Sequence, residues 1–204
     1  MGPKPGPGKL PLARRLVMTL AGALALTNPA SAQSLPRVRI ETSLGNIDVE
    51  VDSVRAPVTA TNFLRYVDAH FYDHGLFHRT VTPGNQPTNP VKIEVIQAGG
   101  DTTRAAEAFP AIPLERTSTT GLHHQAGAIS MARGGADTAQ DQFFICVTAQ
   151  PGLDFGGRRN PDGQGFAVFG RVVSGQKVVR AIQRSPADGQ KLTPPITILR
   201  VARR

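Results

Sequence analysis

Between Gly127 and Ile145 the chain reads GAISMARGGADTAQDQFFI, and within it Gln142 stands directly before Phe143 and Phe144. A side-chain amide donates and accepts hydrogen bonds while an aromatic ring offers apolar surface, so this grouping suits holding a peptide. Alternation along a strand places Gln142 and Phe144 on one face and Phe143 and Ile145 on the other. One face can fill a core while the other lines a groove. The preceding Ala132, Arg133, Gly134, Gly135 and Ala136 carry little bulk beyond one arginine, which lets an extended backbone approach and pair with main-chain groups. On composition alone, a buried hairpin with a glycine-rich turn accounts for the same stretch.

Other chemistries find less support. His123 and His124 are adjacent, and on a strand they would face opposite sides, with no second cluster at ligand spacing, so no metal site is expected. Ser130 is not in a Gly-x-Ser-x-Gly elbow. Cys146, the only cysteine, allows no intramolecular disulfide and reads as a small apolar filler on the Gln142 and Phe144 face. Asn160-Pro161-Asp162-Gly163 reads as a turn, since it lacks the ligand series of a calcium loop. No phosphate-binding glycine motif occurs.

The elements that must position these residues are mostly strands. Val38, Ile40, Ile47, Val49 and Val51 alternate with Arg39, Glu41, Asp48, Glu50 and Asp52 across the turn Leu44-Gly45-Asn46, which predicts an antiparallel hairpin with one wet face. Ala56-Pro57 opens a helix through about Asp68, with Val58, Phe63, Leu64 and Val67 as its apolar stripe. A second helix follows Ser174 and uses Val178, Val179 and Ile182. Further strand-like runs lie at 77–81, 92–97, 126–132, 142–147, 166–172 and 196–201. Turn-rich stretches at 82–90 and 156–165 read as loops beside the groove.

The first 32 residues are of a different kind. Lys4, Lys9, Arg14 and Arg15 precede a dozen apolar residues, Leu16 to Thr27, and then Asn28-Pro29 and Ala30-Ser31-Ala32. This is the make-up of an export signal with a cut after Ala32, and the run is short for a bilayer span. Residues 33–204 would then form one domain, soluble once released, and periplasmic in a Gram-negative source. Without the leader the chain holds 19 basic against 15 acidic residues. Those charges are dispersed, unlike the basic stripe of a nucleic-acid binder, so no nucleic-acid partner is expected.

Four motifs in order, Phe77-His78-Arg79-Thr80-Val81, Ile96-Gln97-Ala98-Gly99-Gly100-Asp101, SMARGGADTAQDQFFI and Phe166-Ala167-Val168-Phe169-Gly170-Arg171-Val172, resemble the cyclophilin family of peptidyl-prolyl isomerases. The resemblance covers residues 37 to 202. It implies a mainly β fold, a closed eight-stranded antiparallel barrel capped by two α-helices, and hence no exposed sheet edges. It also implies a monomer acting on proline-containing polypeptide segments.

The chemistry so implied needs no cofactor or metal. An X-Pro bond turns over a barrier of ~18–20 kcal/mol because the twisted amide loses resonance, and a surface that binds the twisted form better suffices. By the resemblance, Arg79 is directed at the prolyl nitrogen, which regains its lone pair as the bond twists. Gln97 and Gln142 hold the substrate carbonyl and orient the arginine. Phe144 is the floor under the ring, Leu153 and Val95 are walls, and Phe166 stands where the family has a histidine or an aromatic. Ala132, Arg133 and Gly134 match the segment whose backbone pairs with the peptide.

Three departures stand out. Glu94-Val95 replaces the usual Phe-Met wall. Ala98 intrudes before the double glycine, so the glutamine position falls on Gln97 or Ala98, and Gln97 is preferred because alanine makes no hydrogen bond. Gly152 takes the place of a common tryptophan, so tight binding of the family's cyclic-peptide inhibitor is not expected. A peptide-binding chaperone or scaffold with weak or no turnover is the alternative reading.

Overall fold

The computed structural model describes residues 34–204, together with residues 1–4, 6 and 8. The expected leader lies almost wholly outside the described residues. The compact unit from Ser34 to Arg204 contains nine strands: β1 (Arg37–Thr42), β2 (Gly45–Val51), β3 (Leu76–Val81), β4 (Val95–Gly99), β5 (Ala128–Met131), β6 (Phe143–Cys146), β7 (Ala167–Ser174), β8 (Ala187–Asp188) and β9 (Lys191–Arg203). Eight of them run in the order β1-β2-β7-β5-β6-β4-β3-β9, and β9 pairs back onto β1. All these pairings are antiparallel, so the barrel closes and its edges are satisfied. The two-residue β8 only extends the turn into β9.

The barrel interior is filled by the alternate residues that the sequence assigns to it. Ile40, Ile47, Ile96, Ile129, Ile145, Phe77, Phe143 and Phe169 are fully buried. Helix α1 (Pro57–Asp68) adds Phe63, whose ring lies 4.9 Å from Phe169 and 5.7 Å from Phe143. It packs on β7 and β9, while α3 (Gln176–Gln183) packs on β2, β3 and β4. A single turn of helix, α2 (Thr117–Thr120), joins them in sequence. The first turn of α1 has no side-chain cap of its own. Glu115 accepts from the Val58 and Thr59 amides at 3.1 and 2.7 Å instead, placing a carboxylate at the positive end of the helix.

Two expectations need correction. The polar face of the first hairpin is not uniformly wet: Asp48 is buried beneath Arg39 and Arg204, which donate to it at 2.7–3.0 Å. Those guanidinium groups hold its carboxyl below the usual range, the Arg39 hydrogen bond contributing most. The run 92–97 is strand only from Val95. Gln86 captures Ile93 from both sides, its Nε2 donating to the Ile93 carbonyl and its Oε1 accepting from the Ile93 amide, so that backbone is spent on the loop.

Candidate active site

One irregularity in β3 aims the arginine. Phe77 pairs with Ala98 and Arg79 with Gln97, so His78 is an extra residue bulged out of the ladder. Without it, Phe77 and Arg79 would share a face. With it, Phe77 enters the core opposite Ala98, and Arg79 turns to the outer face beside Gln97. That face continues across the sheet, because Gln97 pairs with Phe144 and Phe144 with Ser130. Gln97 rather than its buried neighbour Ala98 is therefore the side chain that reaches Arg79.

A chain of hydrogen bonds fixes the guanidinium. Arg79 Nη1 donates to Gln97 Oε1 at 2.8 Å, while Nε and Nη2 both donate to Gln190 Oε1 at 2.9 and 2.6 Å. Gln97 Nε2 donates onward to Gln142 Oε1 at 2.9 Å. Gln190 is anchored in turn, its Nε2 donating to the Asn85 carbonyl at 3.0 Å. Of the five guanidinium N–H groups three are thus engaged, leaving one on each terminal nitrogen, and the Gln142 Nε2 donors have no hydrogen-bond partner among the described residues. Burial lowers the Arg79 pKa from its ordinary value, and at neutral pH the group stays charged.

Beside this array lies a cavity of about 400 Å³ whose apolar lining includes Ile93, Val95, Phe144, Leu153 and Phe166. Phe144 forms its floor, with Phe166 edge-on at 5.4 Å. Beneath, His124 stacks on Phe144 at 5.8 Å and nearly parallel. Its Nδ1 lies 2.6 Å from Asp154 Oδ1 and its Nε2 3.1 Å from Ser130 Oγ. Burial lowers the His124 pKa, which favours the neutral ring, with Nδ1 donating to the carboxylate and Nε2 accepting from the serine. The Ser-His-Asp order resembles a hydrolase relay, yet Ser130 is fully buried. It supports the floor instead. His123 also meets Asp154, at 3.0 Å. The two histidines lie outside any strand and both reach Asp154, the His123 side chain from solvent and the His124 side chain from the interior.

The wall in which Glu94-Val95 departs from the family is built by Ile93 and Val95, both buried and both lining the cavity. Ala132 and Arg133 line the cavity, and Gly134 joins them in an adjoining pocket of about 310 Å³ with Gln97, Asp141 and Gln142. The Arg133 side chain itself is spent elsewhere. Its Nη1 and Nη2 lie 2.7 and 3.0 Å from Asp162, its Nε donates to the Gly165 carbonyl at 2.8 Å, and its guanidinium stacks over Phe166 at 4.9 Å. It is a strut between β5 and the 156–165 loop. Cys146 is fully buried and its thiol pKa is pushed up by burial, which leaves it inert.

Sequence reasoning missed Gln190, Ile93, Asn89, Arg159, Asn160 and Pro161. The last four lie in the two turn-rich loops, which had been placed beside the groove without assigned residues. Gln190 carries no motif, since a lone glutamine in a turn has none. Ile93 lies in the loop before β4 and carries no motif. Among the described residues no group of three or more His, Cys, Asp or Glu gathers as a metal site.

Comparison with known proteins places this architecture. The family model described as cyclophilin type peptidyl-prolyl cis-trans isomerase/CLD matches residues 37–203. The chain is 34% identical over 177 residues to peptidyl-prolyl cis-trans isomerase A of Dickeya dadantii, covering 85% of this chain and 86% of that one. It is 34% identical over 176 residues to a peptidyl-prolyl cis-trans isomerase of Acinetobacter baylyi, covering 86% and 85%. A Cryptosporidium parvum cyclophilin-type isomerase superposes with a TM-score of 0.67 at 22% identity, covering 83% of this chain and 98% of that chain. The same protein has been solved in the presence of the dipeptide Ala-Pro, with a TM-score of 0.66. The chain belongs to the cyclophilin-type peptidyl-prolyl cis-trans isomerases. Its activity is the cis-trans isomerisation of peptidyl-prolyl bonds.

Proposed function

We propose that this isomerase accelerates X-Pro isomerisation in exported proteins as they fold, by binding the twisted amide more tightly than the planar one. Left alone, such a bond takes on the order of tens of seconds to isomerise, slow enough to limit folding. The observation that carries the reading is the hydrogen-bonded row Gln190, Arg79, Gln97 and Gln142 set beside a cleft with an apolar patch of Ile93, Val95, Phe144, Leu153 and Phe166. The ring rests on Phe144 between Leu153, Val95 and Phe166. Gln142 donates to the carbonyl preceding the proline, and Gln97 holds Arg79 in place. One free N–H of Arg79 meets the prolyl nitrogen as it becomes pyramidal, an interaction absent from the planar ground state and so one that lowers the barrier. No covalent bond changes, and no cofactor or metal is needed. The backbone of Ala132, Arg133 and Gly134 pairs with the residues before the proline.

The leader supports action outside the cytoplasm, in the periplasm of a Gram-negative source, as a monomer released by cleavage after Ala32. N-terminal sequencing of the exported protein should then begin at Gln33. For the mechanism, an unstructured X-Pro peptide should isomerise rapidly with the protein. Arg79→Ala, matched in folding by circular dichroism, should lose at least about tenfold. Weak activity in both, with proline-peptide binding retained, would leave a binding module in place of the folding catalyst.

A further inference from the structure

The two mouths of the cleft differ in charge. Toward Gln142 the adjoining pocket carries Asp141 together with Thr138 and Gln140, and its one arginine is Arg133, which lines both spaces. Toward the loops the cavity is lined by Arg159, Asn89 and Asn160. Arg79, Arg133 and Arg159 all line that cavity, and no Asp or Glu does. Arg133 is neutralised by Asp162. Arg159 makes no ion pair among the described residues and is half-buried.

Its position is built rather than incidental. The Arg159 amide donates to the Gly152 carbonyl at 3.1 Å. Its Nη1 donates to Gln86 Oε1 and to the Val91 carbonyl, both at 2.7 Å. A Cβ added at Gly152 would meet Val91 Cγ1 at 2.6 Å and Arg159 Cβ at 3.9 Å. The space beside Leu153 is thus filled by Val91 and Arg159. Both Nη1 hydrogens are used, while Nε and Nη2 have no hydrogen-bond partner among the described residues. A guanidinium held by neutral carbonyls, with free donors beside a cleft and no counter-ion, is a receptor for a carboxylate. Burial, and then the nearby Arg79 charge, lower its pKa, and an anion placed here would offset the repulsion from Arg79.

We propose that the Arg159 mouth of the cleft is a carboxylate subsite, selecting segments in which Asp or Glu directly follows the proline. The direction rests on the function proposed above: with the preceding carbonyl on Gln142, the chain after the proline leaves toward Arg159. Capped peptides Ala-Pro-Glu and Ala-Pro-Gln test this through the ratio of their kcat/KM values. A ratio of roughly five- to tenfold in favour of Glu is expected at low ionic strength, falling toward one at about 1 M salt. In Arg159→Gln the ratio should fall to about one, and Arg159→Lys should keep part of it. Capped Glu-Pro-Ala should gain nothing over Gln-Pro-Ala. Equal rates for the first two peptides in the parent protein would overturn the subsite. So would a preference insensitive to salt or surviving Arg159→Gln, or a gain only from Glu before the proline. Should neither peptide turn over, the isomerisation reading fails by itself, and the ratio of their dissociation constants decides the subsite by the same criteria.

Discussion

Along one wall of the cleft, Arg79, Gln97 and Phe144 stand on three adjacent strands in a single cross-strand row. Along the other, loops meet through side-chain hydrogen bonds, with Arg159 reaching Gln86 and Val91 and Arg133 reaching Asp162. Strand register places a side chain through the ladder and the packed core behind it, so the first wall can hold a guanidinium to within a fraction of an ångström. A loop wall depends on a few polar ties that can change without disturbing the barrel. In the proposed function the rigid side carries the chemistry and the adaptable one the substrate choice.

Breaking the strand wall should cost most. Gln97→Ala removes the acceptor that orients Arg79, and a misplacement of that order lowers kcat/KM by about 10²-fold with little change in thermal stability. Steady-state kinetics beside a melting curve would check both halves. Arg133→Ala acts on the other wall. It frees Asp162 and Gly165 and uncovers Phe166, so stability should fall by about 2 kcal/mol while kcat stays nearer the parent value. Denaturant unfolding measures the first effect, and a kcat comparison shows whether the walls are separable. Gly152→Trp, which restores the residue common in the family, should destabilise by roughly 1–3 kcal/mol because Val91 and Arg159 occupy that space. A loss of a few degrees in Tm would register it.

The smallest effect is one of pH. Hydrogen bonds from Arg133, and then from the Gln164 amide, lower the Asp162 pKa to about 2. A depressed carboxyl contributes its tie in full above the ordinary carboxylate range and loses it as pH falls through about 2. An NMR titration of the Gln164 amide should show that midpoint. A midpoint near 4 would mean that the strut is not formed in solution.

The strand wall was legible because strands have a period. QFFI assigned alternate faces to Gln142, Phe143, Phe144 and Ile145; the register of β4, β5 and β6 obeys this for the last three, and Gln142, just ahead of β6, meets Gln97 beside Phe144. The barrel's eight strands and the span of α1 were likewise readable from alternation and from the proline at the helix start. The loop wall was not, since its contacts join residues 29 and 73 positions apart with no repeating spacing. Gln190 escaped for the same reason, reaching Arg79 across 111 positions. The His78 bulge was invisible too: one extra residue reverses the face of Arg79, and only the pairing partners reveal it. His123 and His124 show the converse. The rule that neighbours face apart holds on a strand, and they are not on one, so both reach Asp154.

In the proposed mechanism a guanidinium fork, held by Gln97 and Gln190, stabilises the twisted bond. Arg79→Lys keeps the positive charge and removes the fork, so it separates geometry from charge. NMR exchange spectroscopy on an Ala-Pro peptide bound to each protein would read on-enzyme isomerisation and affinity together. Exchange slowed by at least about tenfold, with the dissociation constant changed far less, is the expected result. Exchange at the parent rate in Arg79→Lys, or a loss matched by an equal loss of binding, would contradict it.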